Sequence, residues 1–368
     1  METVMRVRTT AVLAVLMAAA LSAAGCSNDA SMPGQGGGPA APAAPSADCP
    51  LASAPDPGNS APPANVPAST GAPKLAAKDT YRVAFSQNAS NNPWRLAETA
   101  SMQAEAQRLG YQLTVTDANN EQAKQIQDIK GLIAQRPDAL FMAPITEQLG
   151  NVVVEAAHAG IPVFLLDRDV DTTAAKPGED YVTVVVSDFV QQGRRAAWAM
   201  AQATGGNATI IELEGTTGSS PAIDRKKGFD ESITQCPGMR VVVSQSADFT
   251  RAEGQSVTET LLQSHPDATA IYAHNDEMAL GAISAIRAAG KVPGQDIKIV
   301  SIDGSKDALT AVDAGELYAT VESNPRFGPK AFETMQQYAQ QGQVPVQLVL
   351  EDRLFNRENA AQNIAEAY

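Results

Sequence analysis

Basic residues are scarce in this chain: 27 Lys and Arg stand against 41 Asp and Glu, a formal net charge of −14. A groove for nucleic acid or another polyanion needs clustered Lys and Arg, so that class of partner is excluded. Histidine is scarcer still, with 3 in 368 residues. His158 ends a helical pattern, His265 precedes Pro266 and His274 closes an apolar run, so all three read as structural. No Cys-x-x-Cys or His-plus-Cys spacing suggests a metal. The glycine-rich turns that cradle phosphates are missing as well. Positions 86–94, the first strand-to-helix turn, hold no glycine, and Gly215 and Gly218 are not followed by Gly-Lys-Ser/Thr. Dinucleotide and phosphate loops are thereby excluded. No Gly-x-Ser-x-Gly elbow occurs, and no histidine stands where a Ser or Cys nucleophile would need one. Beyond residue 30 no apolar run is long enough to cross a bilayer. The residues therefore point to no catalytic group, no cofactor and no metal.

What is present begins with an export signal. Arg6 and Arg8 supply a positive n-region and Ala11 to Leu21 an apolar h-region. Ala23-Ala24-Gly25-Cys26 is similar to a bacterial lipobox, although Ala23 replaces the usual Leu. Residues 1–26 are read as a lipoprotein signal with Cys26 as the lipidated residue, against ordinary cleavage after small residues. Residues 27–78, rich in Pro, Ala and Gly, lack the apolar bulk to offset their ordering entropy and are expected to form a disordered tether. As a random coil, 27–73 would span roughly 40 Å. Cys49 lies in the tether and Cys236 before Pro237-Gly238. In an oxidising compartment they suit a disulfide, and a pair of separate thiols stays equally open.

From Tyr81 onward apolar runs alternate with helical patterns. Runs at 82–86, 161–166, 270–274 and 297–302 are short, rich in Val, Ile, Leu and Phe, and read as buried parallel strands. They lead into Ser90, Asp167-Arg168, Asn275-Asp276 and Asp303-Gly304. Ligands of such sheets sit outside the carboxyl ends of the strands. Planar carboxylate, amide and guanidinium groups there suit a polyhydroxylated small molecule. Two successive βα series imply an α/β fold of two doubly wound parallel-sheet domains with a binding cleft between them. The expected division is 79–187 plus 324–350 for the first domain and 188–323 plus 351–368 for the second.

Several motifs carry a resemblance. Phe85-Ser86-Gln87, Asn92-Pro93-Trp94-Arg95, Leu165-Leu166-Asp167-Arg168, Ile223-Asp224-Arg225-Lys226-Lys227-Gly228-Phe229, Asp248-Phe249-Thr250-Arg251, His274-Asn275-Asp276-Glu277 and Ser301-Ile302-Asp303-Gly304 occur in that order. Together they resemble the periplasmic sugar-binding proteins of ABC importers, of the ribose-binding type with spelling nearest the galactofuranose-binding type, from Tyr81 to the end. The resemblance implies a type I periplasmic binding protein with a hinge. It implies a monosaccharide ligand, galactofuranose- or galactose-like, and delivery to an importer permease by a lipid-anchored monomer at the outer face of the cytoplasmic membrane or in the periplasm. Ser90, Asn92, Trp94, Asp167 and Arg168 become contacts from the first domain. Arg225, Phe249, Asn275 and Asp303 become those from the second domain and hinge, with Trp94 and Phe249 sandwiching the sugar ring. Arg95 stands where ribose binders carry an aromatic residue and Ser323 where they carry a glutamine; their roles, and that of Glu322, stay open. A ribose or other pentose binder and a sugar receptor for a chemoreceptor or histidine kinase are the competing readings. A lactose-repressor-type regulator shares this core but needs a basic helix-turn-helix where this chain has its signal and tether.

Overall fold

The computed structural model describes residues 48–61 and 65–368. Cys26, the signal segment and the first part of the tether lie outside the described residues. Two α/β lobes follow one another. The first runs β1 (Arg82–Gln87), α1 (Pro93–Leu109), β2 (Gln112–Asp117), α2 (Gln122–Ala134), β3 (Ala139–Met142), α3 (Gly150–His158), β4 (Val163–Leu166) and β5 (Thr183–Ser187). The second runs α4 (Phe189–Thr204), β6 (Ala208–Glu214), α5 (Ser220–Ile233), β7 (Met239–Ser246), α6 (Arg251–Ser264), β8 (Ala270–Ala273), α7 (Asp276–Ala288), β9 (Lys298–Asp303), α8 (Lys306–Ala314) and β10 (Ala319–Glu322). The chain then returns to the first lobe as α9 (Gly328–Gln341) and β11 (Gln347–Leu350), and goes back to the second as β12 (Leu354–Asn356).

The sheet orders are β11-β5-β4-β3-β1-β2 and β12-β10-β9-β8-β6-β7, parallel throughout except for β12 against β10. Each lobe therefore reverses its strand order beside its first strand, the point where such sheets leave a crevice. Period-2 alternation decides the packing. Phe141 and Phe164 join Phe85, Phe332 and Tyr338 on one face of the first sheet, while their neighbours Leu140 and Leu165 join Ile129 and Val184 on the other. In the second lobe Ile211 and Ile210 divide in the same way between two clusters. Burying each such side chain contributes about 1.5–3 kcal/mol. Asn92 caps α1 by accepting from the Arg95 amide, with Pro93 opening the helix and Gly110 closing it in the left-handed region. Among the described residues, no helix is long and apolar enough to cross a membrane.

The tether expectation needs correction over its described part. Cys49 is disulfide-bonded to Cys236 at the end of α5. From there the chain runs along one stripe of α4, whose long donors take its carbonyls. Gln202 donates to Leu51 (2.7 Å), Trp198 to Ala54 (2.8 Å) and Gln191 to Gly58 (2.6 Å), while Arg195 pairs with Asp56 (2.6 Å). Beyond residue 64 it moves to the first lobe. Ser69 exchanges hydrogen bonds with Val344, Gly71 donates to Gly178 (2.8 Å), and the Tyr338 hydroxyl donates to the Ala72 carbonyl (3.0 Å). Composition underrates such a segment because it is held largely through hydrogen bonds of its own backbone and a covalent bond, with only a few apolar side chains, among them Ala52, Ala72 and Leu75, joining the cores.

Candidate functional site

A small cavity lies between the lobes, lined by Asn92, Trp94, Arg95, Asp167, Arg168, Pro221, Arg225, Phe249, Asn275 and Asp303. Every residue except Arg225 sits in, or within one helical turn of, a loop at the carboxyl end of a strand. Backbone strain concentrates there. Asp167 (φ 63°), Phe249 (φ 58°) and Asp303 (φ 140°) are non-glycine residues at positive φ, a conformation that costs of order 1–3 kcal/mol and needs support from its surroundings. Gly215 provides one support, because a Cβ there would collide with the Phe249 ring.

On the first lobe, Arg95 is buried and donates to Glu98 (2.8 Å) and Asp167 (2.5 Å). Burial opposes its charge, but Asp167 and Glu98 outweigh that and raise its pKa. Glu98 is wholly buried, and its Oε2 also accepts from Gln87 (2.9 Å). Arg168 donates from Nη1 to the Ile145 carbonyl (2.8 Å), and its Nε, 3.6 Å from Asp167, is buried with no hydrogen-bond partner. Burial and the adjacent Arg95 charge pull its pKa down to about 9, which leaves it charged at neutral pH.

On the second lobe, Arg225 donates from Nε to Gln192 (2.9 Å) and from Nη1 to the His274 carbonyl (2.7 Å), and its Nη2 stands 3.8 Å from Asp303. Burial pushes the Asp303 carboxyl well above the usual range. Asn275 caps α7 through Met278 (3.0 Å) and donates to the Phe249 carbonyl (3.1 Å), so its amide spans two loops of the cavity wall. The lobes are closed on one another. Across the cleft the Asn120 side-chain amide donates to Asp248 (2.8 Å), the Glu147 main-chain N–H to the Gly218 carbonyl (3.0 Å) and the Asp169 main-chain N–H to the Ser220 hydroxyl (3.1 Å).

Of the expected contacts, all but Ser90 line this cavity. Ser90 faces solvent and donates its hydroxyl to Asp117 at the end of β2. The turn commits it to capping that strand end, which removes it from the wall. Trp94 and Phe249 are present, yet their rings already meet guanidinium groups. Arg95 lies 4.4 Å from the Trp94 centroid, and Arg168 and Arg225 lie 5.5 and 5.9 Å from that of Phe249. Arg95, whose role the sequence leaves open, lines the cavity, and so does Pro221, which in the sequence reads only as the proline of a helix start. Glu322 is held by Arg353 (2.7 Å), the Ser323 main-chain carbonyl accepts from the Trp94 indole (2.7 Å), and neither residue lines the cavity.

Trp94 is one of two tryptophans, and the other, Trp198, is bonded to the strap on α4. Filling the cavity is therefore expected to change intrinsic fluorescence in a saturable way, with the signal lost in Trp94→Phe and kept in Trp198→Phe. Survival of the signal in Trp94→Phe together with its loss in Trp198→Phe would contradict this placement.

Two parallel-sheet lobes closing on a cavity at their switch points define a bilobal ligand-binding protein. The sequence pattern of the periplasmic binding protein domain family matches residues 83–343, and the chain belongs to that family. It is 40% identical over 273 residues to the galactofuranose-binding protein YtfQ of Escherichia coli strain K12, covering 73% of this chain and 85% of that protein. It is 39% identical over 249 residues to the ribose import binding protein RbsB of Bacillus subtilis strain 168, covering 67% of this chain and 78% of the relative. Among solved structures, the arabinose-transporter binding protein of Shewanella sp. ANA-3, bound to α- and β-L-arabinofuranose, matches with a TM-score of 0.72 and 37% identity. That match covers 78% of this chain and 95% of the other.

Proposed function

We propose that this protein captures a neutral monosaccharide, a furanose of the galactofuranose type, in its interlobe cavity and delivers it to an ABC importer. The single observation that carries the reading is the pairing of the charged groups in the wall. Arg95 holds Asp167 and Glu98, Arg168 stands beside Asp167 and Arg225 beside Asp303. Such a site leaves no guanidinium without a carboxyl neighbour for a phosphate or carboxylate to take up, and offers fixed donors and acceptors to hydroxyls. Two aromatic rings give it apolar surface for the C–H faces of a sugar. The ring form rests on the relatives that bind furanoses and on Arg95, which the ribose-type pattern lacks. Closure follows from the sugar bridging both lobes, since a ligand favours whichever conformation gives it more contacts.

Calorimetry against D-galactofuranose, D-galactose, L-arabinose, D-ribose and D-xylose, with galactose 1-phosphate and galacturonate as charged comparisons, tests this. Binding of a neutral sugar with no binding of either anion is expected, and preferential binding of the anions would refute the reading. We propose further that the protein is a lipid-anchored monomer outside the cytoplasmic membrane; the signal-like pattern of residues 1–26 and the lipobox-like Cys26 support the anchor. Incorporation of labelled fatty acid by Cys26→Ala equal to the parent's would remove the anchor.

A further inference from the structure

We propose that Gln192 and Asp352 are positioning residues for Arg225 and tie that guanidinium to all three crossings between the lobes; the proposal rests on the ligand-binding reading above. Gln192 lies buried on α4, and its Oε1 accepts from Arg225 Nε (2.9 Å). Its Nε2 donates to Asp352 Oδ2 (2.8 Å) and to the Glu322 carbonyl (3.1 Å). Asp352, also buried, accepts at Oδ1 from the Ser187 hydroxyl (3.0 Å). Ser187 ends β5 where the chain first leaves the first lobe, Glu322 ends β10 where it returns, and Asp352 lies between β11 and β12 on the last crossing. The three connections that must flex when the cleft opens therefore meet around one amide, two of them directly and Ser187 through Asp352, and the other end of that amide holds Arg225.

The amide's orientation follows from its partners. A carboxylate and a carbonyl only accept, so both require the NH2 of Gln192, and the oxygen is left for Arg225. With the amide reversed, NH2 would face a guanidinium and the oxygen a carboxylate. Asp352 is itself fixed from both sides: its N–H donates to Asn59 (3.1 Å) and its carbonyl accepts from Arg195 (2.7 Å). Two glycines press α4 and α5 together, since a Cβ at Gly193 would collide with the Arg225 carbonyl and one at Gly228 with the Val190 carbonyl. Gln192 thus reaches Arg225 without backbone freedom.

A charge-swap cycle tests the assignment. It is run at pH 8, because burial pushes the Asp352 carboxyl up to about 7 and the ionised acceptor is wanted. The variants are Asp352→Asn, Gln192→Glu and the two combined, titrated with D-galactose. Asp352→Asn removes the charged one of the two acceptors that orient the amide, and Gln192→Glu sets two carboxylates against each other; each is expected to weaken binding about tenfold. In the double variant a glutamate at 192 accepts from both Arg225 and the asparagine amide while the Glu322 carbonyl loses its donor, and affinity is expected to recover in part, to a smaller loss than either single variant shows. A second readout needs no sugar: the Arg225 Nε–H resonance in 15N-arginine-labelled protein shifts and exchanges faster in each single variant and returns in the double. Gln192→Leu, which removes all three hydrogen bonds of the amide without adding charge, replaces Asp352→Asn should that variant not fold. Parental affinity and an unmoved resonance in the single variants, or losses that simply add in the double, would overturn the proposal. A parent that binds none of the sugars, with the resonance pattern as described, would sink the functional reading and leave the positioning role standing.

Discussion

Replacing Arg168 with alanine is expected to weaken sugar binding by about 1.5–3 kcal/mol, roughly ten- to hundredfold, while the protein stays folded. The binding loss follows from the wall geometry. Arg168 Nε is buried without a hydrogen-bond partner, and the guanidinium lies within 5.5 Å of the Phe249 ring across the cleft. A sugar hydroxyl accepting from that Nε would satisfy it and bridge the lobes at the same point. The fold survives because the charge is a burden to it, as the pull of burial and Arg95 on its pKa shows. Asp167 keeps Arg95 as its partner. Arg168→Lys, which retains charge and loses the planar fork, is expected to fall between parent and alanine variant. Calorimetry and a thermal melt on each variant check this. Parental affinity in a folded Arg168→Ala protein would remove Arg168 from the site.

Removing the Cys49–Cys236 bridge is expected to cost stability on a similar or larger scale. The two residues are 187 apart in sequence. Closing a loop that long in the unfolded chain stabilises the folded state by about 5 kcal/mol on the chain-entropy account. The Cys49→Ala, Cys236→Ala double variant should therefore melt roughly 10 °C lower. It should also release the strap from α4 and expose the stripe formed by Gln191, Arg195, Trp198 and Gln202 to solvent, which hydrogen exchange along that helix would report. Unreduced, denatured protein lacking Cys26 should titrate with no free thiol. Two free thiols per chain, or an unchanged melting point, would contradict the bridge.

Most of the cavity lining was legible in the sequence because its residues sit where periodicity changes. Asp167, Asn275 and Asp303 each follow a short apolar run, and a parallel sheet turns such positions toward the crevice. Asn92-Pro93 announced a helix start, and the hydrogen bond to the Arg95 amide is what that pair of residues dictates. What stayed hidden depends on partners distant in the chain. Gln192 on its own is a polar residue in a helix, and only the close α4–α5 contact at Gly193 and Gly228 turns it toward Arg225. The strap from Cys49 onward is polar and rich in proline, and nothing within it tells that α4 carries donors at the spacing of its carbonyls. Ser90 shows the opposite failure: a residue of suitable chemistry in the right loop, turned outward by the end of β2. β12, with three residues, is too short to carry a periodic signal, and it forms only because β10 presents an edge.

One neutral sugar ring is expected to occupy the closed cavity between the lobes. A crystal structure of the protein grown with D-galactose and D-galactofuranose tests this. The expected result is a single ring between Trp94 and Phe249, with hydroxyls within hydrogen-bond distance of Arg168 Nε, Arg225 and Asp303, and with the Asn120–Asp248 contact across the cleft intact. A sugar bound elsewhere, or a closed cleft whose guanidinium and carboxylate groups make no contact with the ring, would contradict it.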